Sequence, residues 1–206
     1  MNRPFRHPRR LAGAAFLLLL FGLSLFVQDG PTRLLDGWVA PAWASGGSGA
    51  APMPPGECSP GITRSHPDAA YTVNADGTIT DTRTGLTWDR CAWGLSGEEC
   101  AGGAASSHTW AGALDVAATA NAQNHKDHAD WRLPSVKELR SLVEECRADP
   151  AINDVIFPNT PFGWFWSSSP SAGNSDYAWF VDFDTGYVDA YYKNGTGRVR
   201  LVRAGQ

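Results

Sequence analysis

Two histidines near the middle of the chain have a spacing that could serve chemistry. His125 and His128 lie three residues apart, which would let both imidazoles bind one metal ion if a helix continued through them. The segment from residue 124 to residue 128 is polar on all sides, however, and leads directly into a turn. We therefore interpret it as a solvated loop and predict no metal site.

Acidic pairs and a serine run are further groups that could take part in catalysis. Asp182 and Asp184 could in principle flank a glycosidic bond, as could Glu144 and Glu145. Adjacent carboxylates point apart on a strand or face water on a helix, so solvated charge is the better interpretation. The serines at 167–169 lack the Gly-x-Ser-x-Gly elbow of serine hydrolases, and no histidine follows them. We predict that the protein is not an enzyme and uses no cofactor.

Aromatic side chains are the best candidates for ligand binding. Residues 162–192 contain 11 of the 23 aromatic residues in the chain. Sugar rings dock on Trp and Tyr faces through apolar C–H contacts, while neighbouring polar groups hold the hydroxyls. The predicted ligand-binding residues are Trp164, Tyr187, Asp189, Tyr191, Tyr192 and Lys193.

The competing interpretation places these rings in the hydrophobic core. Alternate side chains of a strand share one face, so Trp179, Val181 and Phe183 form a set that would point inward. The set at 187, 189 and 191 mixes aromatic and acidic side chains and fits an outer face. The pattern leaves the exposure of the three tyrosines open, because tyrosine is intermediate in its burial. It favours the core for the three tryptophans Trp164, Trp166 and Trp179.

Short β-prone runs separated by turns surround the aromatic residues. Runs at 71–73 and 78–80 flank an Asn-Ala-Asp-Gly turn and predict a hairpin, which a run at 86–88 extends into a small sheet. In the last run of the chain, Arg198 and Arg200 share one face and apolar side chains the other, which predicts a half-buried strand. Four C-terminal runs predict an antiparallel meander: 164–168, 178–183, 187–192 and 198–202.

Two helices are predicted between the strand regions. The second begins at Ser135, because Ser135 and Glu138 have the spacing of a capping box and Pro134 prevents a helix from extending backwards. Its apolar stripe places its end near Cys146 and consists of Leu139, Leu142, Val143 and Cys146. The first helix lies in an alanine-rich segment, with a stripe formed by Trp110, Ala113, Leu114, Ala117 and Asn121.

The segment 130–139, Asp-Trp-Arg-Leu-Pro-Ser-Val-Lys-Glu-Leu, organises the predicted fold. Trp131 contributes its full area only in a core, and Arg132 beside it must then find an acidic partner. Asp130, Glu138 or an aspartate of the sheet could serve. We predict that this corner defines the fold and is not a ligand site. Its structural residues are Trp131, Arg132, Leu133, Ser135 and Glu138.

Four cysteines, an even number with no C-x-x-C pair, predict disulfide bonds. Three connectivities are possible. We favour Cys91 with Cys100, which closes a short loop rich in Gly and Glu, and Cys58 with Cys146, which ties the start of the domain to the second helix. A structural zinc site is the alternative, but closely spaced ligand pairs are missing.

The N-terminal part of the chain predicts export. Four arginines precede an uncharged apolar run at 11–27, which is typical of a signal peptide and places it within residues 1–44. The run has 17 residues, close to the roughly 20 that span a bilayer, so a retained membrane anchor is the alternative. Residues 45–57 are rich in Gly, Pro and Ser and predict a flexible linker before a domain at 58–206. We expect a periplasmic, secreted or cell-surface location.

Charge argues against a nucleic-acid partner. Residues 45–206 carry 12 basic and 19 acidic side chains, a formal charge of −7. Binding to a phosphate or sulfate polymer would need a local basic patch to overcome this field. The predicted partners are an extracellular glycan or an envelope protein, with membrane contact only through an uncleaved N-terminal segment.

Five motifs in order resemble the Lcl C-terminal domain family, named after a domain of a bacterial collagen-like adhesin. The resemblance covers about residues 71–203 and implies an exported α+β domain with a C-type-lectin-like arrangement, in which two helices pack on small antiparallel sheets. The motifs are Asp-Thr-Arg-Thr-Gly-Leu-Thr-Trp at 81–88, the segment 130–139, Phe-Pro-Asn-Thr at 157–160, Trp-Ser-Ser-Ser at 166–169 and Val-Arg-Leu-Val-Arg at 199–203.

For the adhesin, the resemblance implies binding of host glycans, including sulfated ones, through a trimer. This chain departs from that pattern, since it has no Gly-x-y stalk to drive trimerisation and its acidic charge is poor for sulfated glycans. Only Pro158-Asn159 echoes the sugar site of calcium-dependent lectins, so we do not expect calcium. Lectin-fold oxidases need a reactive cysteine pair in the C-terminal half, and no cysteine follows Cys146.

These observations predict a non-catalytic extracytoplasmic recognition domain that binds glycans or mediates adhesion. A structural or protein-interaction module of the bacterial envelope is the alternative, and an enzyme of the lectin-fold oxidase type is a third possibility.

Overall fold

The structure, a computed structural model, describes residues 56–204. The predicted signal peptide or anchor at 1–44 and the linker residues 45–55 lie outside the described residues. Gly56 donates its N–H to the carbonyl of Ala148 at 3.0 Å, so the chain is already held against the domain two residues before Cys58. In the described part of the chain, no helix has the length and apolar character needed to cross a membrane.

Nine strands and two α-helices make up the described domain, which is a mixed α+β structure with small antiparallel sheets. The helices are α1 (Trp110–Ala122) and α2 (Val136–Arg140). The strands are β1 (Tyr71–Val73), β2 (Thr78–Asp81), β3 (Leu86–Asp89), β4 (Leu95–Ser96), β5 (Gly102–Gly103), β6 (Trp164–Pro170), β7 (Tyr177–Asp182), β8 (Val188–Tyr192) and β9 (Val202–Ala204).

The first sheet has the strand order β1-β2-β3-β9 and confirms the predicted N-terminal hairpin. Its turn is closed by Asp76, whose carboxylate accepts from the N–H of Thr78 at 2.9 Å, and by Gly77, which has a φ of +77° that suits glycine. Trp88 and Ile79 pair across β2 and β3, and both are fully buried. The strands β4 and β5 form a separate two-stranded ribbon.

The second sheet has three strands, β6-β7-β8, so the predicted four-stranded meander is wrong in its last member. Residues 198–201 do not form a strand of this sheet, and β9 pairs with β3 in the first sheet instead. Arg200 supplies the physical reason. Its guanidinium donates to the carbonyls of Asp89 and Arg90 at the end of β3, which draws the segment between the two sheets.

Arg200 also corrects the prediction of a half-buried strand, because both faces of the segment are covered. The Arg200 side chain is 0% exposed, as are Val199 and, to within 1%, Leu201. The guanidinium lies over the rings of Phe157 and Phe165, 4.9 and 5.7 Å from their centroids. Burial lowers the pKa of Arg200 to about 10, while nearby Asp89 opposes that shift.

The two faces of the second sheet contribute to two hydrophobic clusters. Phe165 and Val181 pair across β6 and β7 and join the cluster that includes Leu139 of α2. The next pair, Trp166 with Phe180, belongs to the cluster that includes the alanines of α1. Since neighbouring residues of a strand point to opposite faces, the helices cover opposite sides of this sheet.

Only part of the set predicted to point inward from β7 is correct, because this strand is buried on both sides. Val181 and Phe183 are fully buried, but Ala178 and Phe180 on the opposite face are buried as well, and Trp179 is half-buried. Trp166 lies in the core as predicted, whereas Trp164 is only half-buried.

The second helix starts as predicted and ends earlier. The Ser135 hydroxyl accepts from the N–H of Glu138, and the Glu138 carboxylate accepts from the N–H of Ser135, which is the expected capping box. The helix ends at Arg140, not near Cys146. The chain leaves the helix because Glu144 pairs its backbone N–H with the carbonyl of Ala151 at 3.0 Å.

The corner at 130–139 has the predicted structure. Trp131 and Leu133 are buried, and Arg132 forms two hydrogen bonds to the carboxylate of Glu138, at 2.6 and 2.8 Å. The hydrogen bond from Arg132 is the main reason that the pKa of Glu138 falls to about 2, against partial burial that would raise it. Asp130 accepts from Arg203 of β9 at 2.7 Å, so the corner is tied to the first sheet.

Both predicted disulfides are confirmed. Cys91 is bonded to Cys100 and Cys58 to Cys146, and no free cysteine remains, since all four cysteines lie within the described residues. The second bond closes a loop with a sequence separation of 88 residues. Crosslinks of this kind contribute about 2–4 kcal/mol each by restricting the unfolded chain.

Candidate functional site

The α1 side of the second sheet buries Trp166 and Phe180, and beside them it presents aromatic rings to solvent. Trp164 of β6 is paired with Asp182 of β7, and Asp182 in turn lies opposite Tyr187, so these three side chains form one row across the sheet. Tyr191 lies on the same face, and its ring centroid is 4.6 Å from that of Trp164. Tyr187 and Tyr191 are 58% and 41% exposed. We call Trp164, Tyr187 and Tyr191 the aromatic platform.

Two glycines in the connection between β8 and β9 let the platform rings lie flat against the backbone. A Cβ at Gly197 would be 2.5 Å from the Trp164 ring and 3.1 Å from the Trp166 ring. A Cβ at Gly195 would be 2.8 Å from the ring of Tyr191. Trp164 is fixed further by its Nε1–H, which donates to the carbonyl of Thr196 at 2.7 Å. The ring positions are therefore set by the chain before any ligand arrives.

A groove of about 280 Å³ runs beside Trp164. Phe162 on its wall is 70% exposed, the largest exposure among the bulky apolar residues of the described chain. Such a volume is close to the lower end of small-molecule pockets, roughly 300 Å³. The residues that line it are Ser107, Phe162, Gly163, Trp164, Asp182, Thr196, Gly197 and Arg198.

The groove contains one carboxylate with a free oxygen and one guanidinium already in use. Asp182 Oδ1 accepts from the N–H of Asp184 at 2.7 Å, and within the described residues Asp182 Oδ2 has no partner. Arg198 donates from Nη1 to the carbonyl of Ala105 at 2.8 Å and more weakly from Nε to that of Phe162. The groove therefore offers a strong acceptor next to aromatic surface.

A second carboxylate lies on the platform itself. The Tyr187 hydroxyl donates to Asp189 Oδ2 at 2.9 Å, and this hydrogen bond raises the pKa of Tyr187. In the neighbouring turn, partial burial raises the pKa of Asp184, aided by repulsion from Asp182 and opposed by the N–H of Gly163. Negative charge thus surrounds the rings on this side of the sheet.

The structure separates the six predicted ligand-binding residues into two groups. Tyr191 and Tyr192 are adjacent on β8, so they point to opposite faces. The Tyr192 ring packs against Tyr177, 4.3 Å away, and a hydrogen bond between them raises the pKa of Tyr177 to about 12. Lys193 donates to the carbonyl of Ser175 at 2.6 Å and lies over the ring of Trp110.

Tyr192 and Lys193 belong to a different surface from the platform, a depression of about 360 Å³ that they share with Asp176 and Asn194. The platform face brings together the other four predicted residues, which are Trp164, Tyr187, Asp189 and Tyr191.

The histidine segment does not form a ligand pair and is less solvated than predicted. His125 bonds Asp89 at 2.7 Å and His128 bonds Asp76 at 3.0 Å, so each imidazole has its own carboxylate partner. The His125 ring also contacts Trp131, with centroids 5.8 Å apart. These contacts join the turn at 125–128 to the first sheet.

The serine run and the acids at 144–145 serve the fold. Ser167 donates to the carbonyl of Trp179 at 2.7 Å and Ser169 accepts from the N–H of Val136. The Glu144 carboxylate accepts from both backbone and hydroxyl of Ser65 and from the N–H of His66. Burial alone would raise the pKa of Glu144, but these hydrogen bonds lower it overall.

One cluster within 56–204 has the composition of a metal site. Ligand atoms of Cys58, Glu144 and Cys146 all lie within 4.8 Å of one another. The two sulfurs are bonded to each other, and the carboxylate is occupied by residues 65 and 66. The cluster is therefore a crosslink beside a capped turn.

Sequence reasoning did not assign Phe162, Asp182 and Arg198 to the binding surface. Asp182 was seen only as one of a pair of neighbouring acids, and its position opposite Trp164 depends on the register between β6 and β7. Arg198 was placed on a strand that does not form. The signal that existed was the predicted turn between β7 and β8, which brings Tyr187 back beside Asp182.

The fold and this surface define a disulfide-bonded α+β domain with an exposed aromatic face. The profile of the Lcl C-terminal domain matches residues 77–203, more than half of the chain, and the chain belongs to that family. A search of curated proteins found no match. Two disulfides and an adhesin-related domain are consistent with an extracytoplasmic location.

Proposed function

We propose that this domain is a non-catalytic recognition module that binds glycans on the aromatic platform and in the adjoining groove. The observation that carries the proposal is the row of Trp164, Asp182 and Tyr187, in which a carboxylate with a free oxygen lies between two aromatic rings. Sugars bind proteins by placing their C–H faces on aromatic rings and their hydroxyls on neighbouring acceptors. The row offers both within one sheet.

Preorganisation supports the proposal. Trp164 is held by Thr196, and the close backbone approach at Gly195 and Gly197 leaves Trp164 and Tyr191 little freedom to move. Rings fixed before binding lose little conformational entropy when a ligand arrives, so more of the contact energy appears as affinity.

The proposal includes a C-type-lectin-like arrangement, exported from the cytoplasm by the N-terminal segment. Two helices on small antiparallel sheets and two disulfides support it. We also propose that the domain is not an enzyme and that nucleic acid is not a partner. All four cysteines are in disulfides, so neither pair supplies the reactive thiols of lectin-fold oxidases. Membrane contact is proposed only through residues 1–44, if they are not removed.

The test compares two adjacent tyrosines of similar exposure. Tyr191 is 41% and Tyr192 is 49% exposed, but only Tyr191 lies on the platform face. Tyr191→Ala should weaken binding on a glycan array by at least about tenfold, because buried aromatic contacts commonly contribute more than 1 kcal/mol. Tyr192→Ala should leave binding within about twofold of the parent protein.

Thermal unfolding of both variants shows whether either change disturbs the fold. Equal loss of glycan binding in the two variants would contradict the assignment of the platform, and absence of any glycan ligand for the parent protein would contradict the function. In that second case, capture of an envelope protein that depends on Tyr191 would instead favour a protein-interaction module.

A further inference from the structure

We infer that the platform and groove select glycans that lack anionic groups and, among these, bind amino sugars with a free amine most tightly. This inference rests on the proposed function and specifies its ligand class. It follows from the charges that face the bound sugar, which can be counted on the platform side of the second sheet.

Carboxylates dominate the charge on this face. Asp182 lies in the row between Trp164 and Tyr187, and Asp189 follows opposite Phe180 in the next row. Both are accessible to a ligand lying on the rings. Asp189 accepts from the Tyr187 hydroxyl and from the N–H of Ala190, and since each carboxylate oxygen has two lone pairs it retains acceptor capacity beyond these bonds. A sulfate or carboxylate substituent would be placed beside two like charges.

Arg198 is the cation that lines the groove, and its single charge offsets only one of the two carboxylates. Its guanidinium donates to the carbonyls of Ala105 and Phe162, which hold it on the groove wall and use two of its five N–H groups. Lys193, the next basic residue toward β8, is bonded to Ser175 and lies over Trp110 on the other surface. The charge that faces a ligand on the platform and in the groove therefore stays negative.

A protonated amine on the sugar ring would find complementary groups. The free Asp182 Oδ2 accepts an ammonium hydrogen, and the faces of Trp164 and Tyr187 on either side attract a cation through their ring quadrupoles. Partly exposed pairs of this kind contribute about 0.2–1 kcal/mol each. Two carboxylates should therefore favour the amine by roughly twofold to thirtyfold over its neutral acetylated form.

The experiment uses β-linked hexosamine oligomers of equal length whose nitrogen is a free amine, acetylated or sulfated. Dissociation constants are measured for the purified protein at about pH 5.5, where a sugar amine is protonated. The expected order of affinity is amine, then acetyl, then sulfate. Raising the salt concentration should reduce the differences in affinity among the three oligomers, because screening weakens partly exposed charge pairs.

Asp182→Asn tests the residue. The variant keeps the shape of the side chain and should reduce the ratio of amine affinity to acetyl affinity by about half or more. Asp127→Asn makes the same change at an exposed turn by the first sheet and should leave that ratio unchanged. Tightest binding of the sulfated oligomer, or equal binding of all three, would overturn the inference and leave the proposed function standing. If no glycan of any charge binds, it is the proposed function that fails.

Discussion

The outer face of the first sheet and the part of the platform face that α1 leaves uncovered on the second sheet differ in how far their groups are already engaged. On the first sheet, Thr72, Thr80 and Thr87 lie opposite one another across the strands. Asn74 donates to Thr78 and Thr80, and the neighbouring charges are paired as Asp76 with His128 and Asp130 with Arg203.

On the second sheet the rings of Tyr187 and Tyr191 face solvent, and Asp182 keeps an oxygen without a partner. A ligand on the first sheet would have to break pairs that the protein has already made, which costs the full desolvation of each group. A ligand on the second sheet would add contacts without removing any. The comparison therefore supports the proposal that the second sheet binds the ligand while the first sheet serves as scaffold.

The largest effect is expected at Arg200, in the segment that joins the two sheets. It tests whether the stability of the fold can be changed separately from recognition. Arg200→Ala should lower the free energy of unfolding by about 3–5 kcal/mol, because it leaves buried carbonyls without donors and opens a cavity against Phe157 and Phe165. Urea unfolding measures the loss.

Arg198→Ala is the matched control for the Arg200 variant. Arg198 lines the groove and makes one good hydrogen bond, so its removal should cost only about 1 kcal/mol. Arg200→Met keeps most of the side-chain volume and should lower the free energy of unfolding by less than Arg200→Ala does. Equal destabilisation by the two alanine variants would show that the groove is part of the core.

The next effect is expected at Gly197, where platform and core meet. Gly197→Ala places a methyl group against Trp164 and Trp166 and should destabilise the fold by about 1–3 kcal/mol through overpacking. It should also shift tryptophan fluorescence and weaken glycan binding. Gly173→Ala, where an added Cβ meets nothing within 4 Å, should change neither quantity. Unaltered binding by the Gly197 variant would mean that the position of Trp164 does not matter.

Acid should weaken the corner that supports the first sheet. The folded-state pKa of Glu138 is about 2, below its ordinary value of 4.5, so its stabilisation is complete above about pH 4.5 and is lost as the pH falls toward 2. Glu138→Gln should therefore cost about 1–2 kcal/mol at pH 7 and much less at pH 3.

Glu145→Gln is the control for the corner, since it removes the same charge from an exposed residue that lies 3.7 Å from Arg140. Unfolding curves at the two pH values separate the variants. A cost for Glu138→Gln that does not change with pH would contradict the ionic role of Glu138.

The smallest effect is expected on the outer face of the first sheet. His128→Ala removes a partly exposed pair with Asp76 and should cost about 0.2–1 kcal/mol, with no change in glycan binding. Urea unfolding measures the stability, and calorimetric titration with a glycan measures the binding. Loss of binding in this variant would move recognition to the first sheet and reverse the comparison.

Local signals in the sequence were sufficient for the elements that depend on few residues. The capping box at Ser135 and Glu138, the hairpin around Gly77 and the pairing of Cys91 with Cys100 each rest on spacing within about ten residues, and all three are present. The rule that a buried charge needs a partner predicted an acidic partner for Arg132 and left three candidates open; Glu138 is the one that binds it, although the Arg132 side chain is 43% exposed.

Long-range contacts decided the features that the sequence did not predict. The second helix ends at Arg140 because the chain beyond it pairs with residues 151 and 152, and Glu144 binds a segment 79 residues away. The predicted strand at 198–202 was wrong because the run is divided: Arg198 forms a parallel bridge to β6, whereas β9, which begins at residue 202, pairs with β3. No periodicity within either segment carries that information.

The candidate surface could likewise be predicted only where local patterns determine it. Alternation along β8 separates Tyr191 from Tyr192, but which of them joins Trp164 depends on the register between strands. Asp182 enters the surface for the same reason.

The bond between Cys58 and Cys146 determines how the described domain would respond to mechanical tension. A pull applied between Gly56 and residue 204 would pass from residue 58 directly to residue 146 through the crosslink, and the 88-residue loop between them would be bypassed. The hairpin of β1 and β2, both helices and the Cys91–Cys100 ribbon would lie outside the covalent path of the force and would be loaded only through contacts such as the pairing of β9 with β3. Once β9 separates from β3, the chain that extends would be residues 147–204, the stretch that holds the platform, so a stretched molecule would lose its candidate binding surface while the crosslinked loop could not be extended.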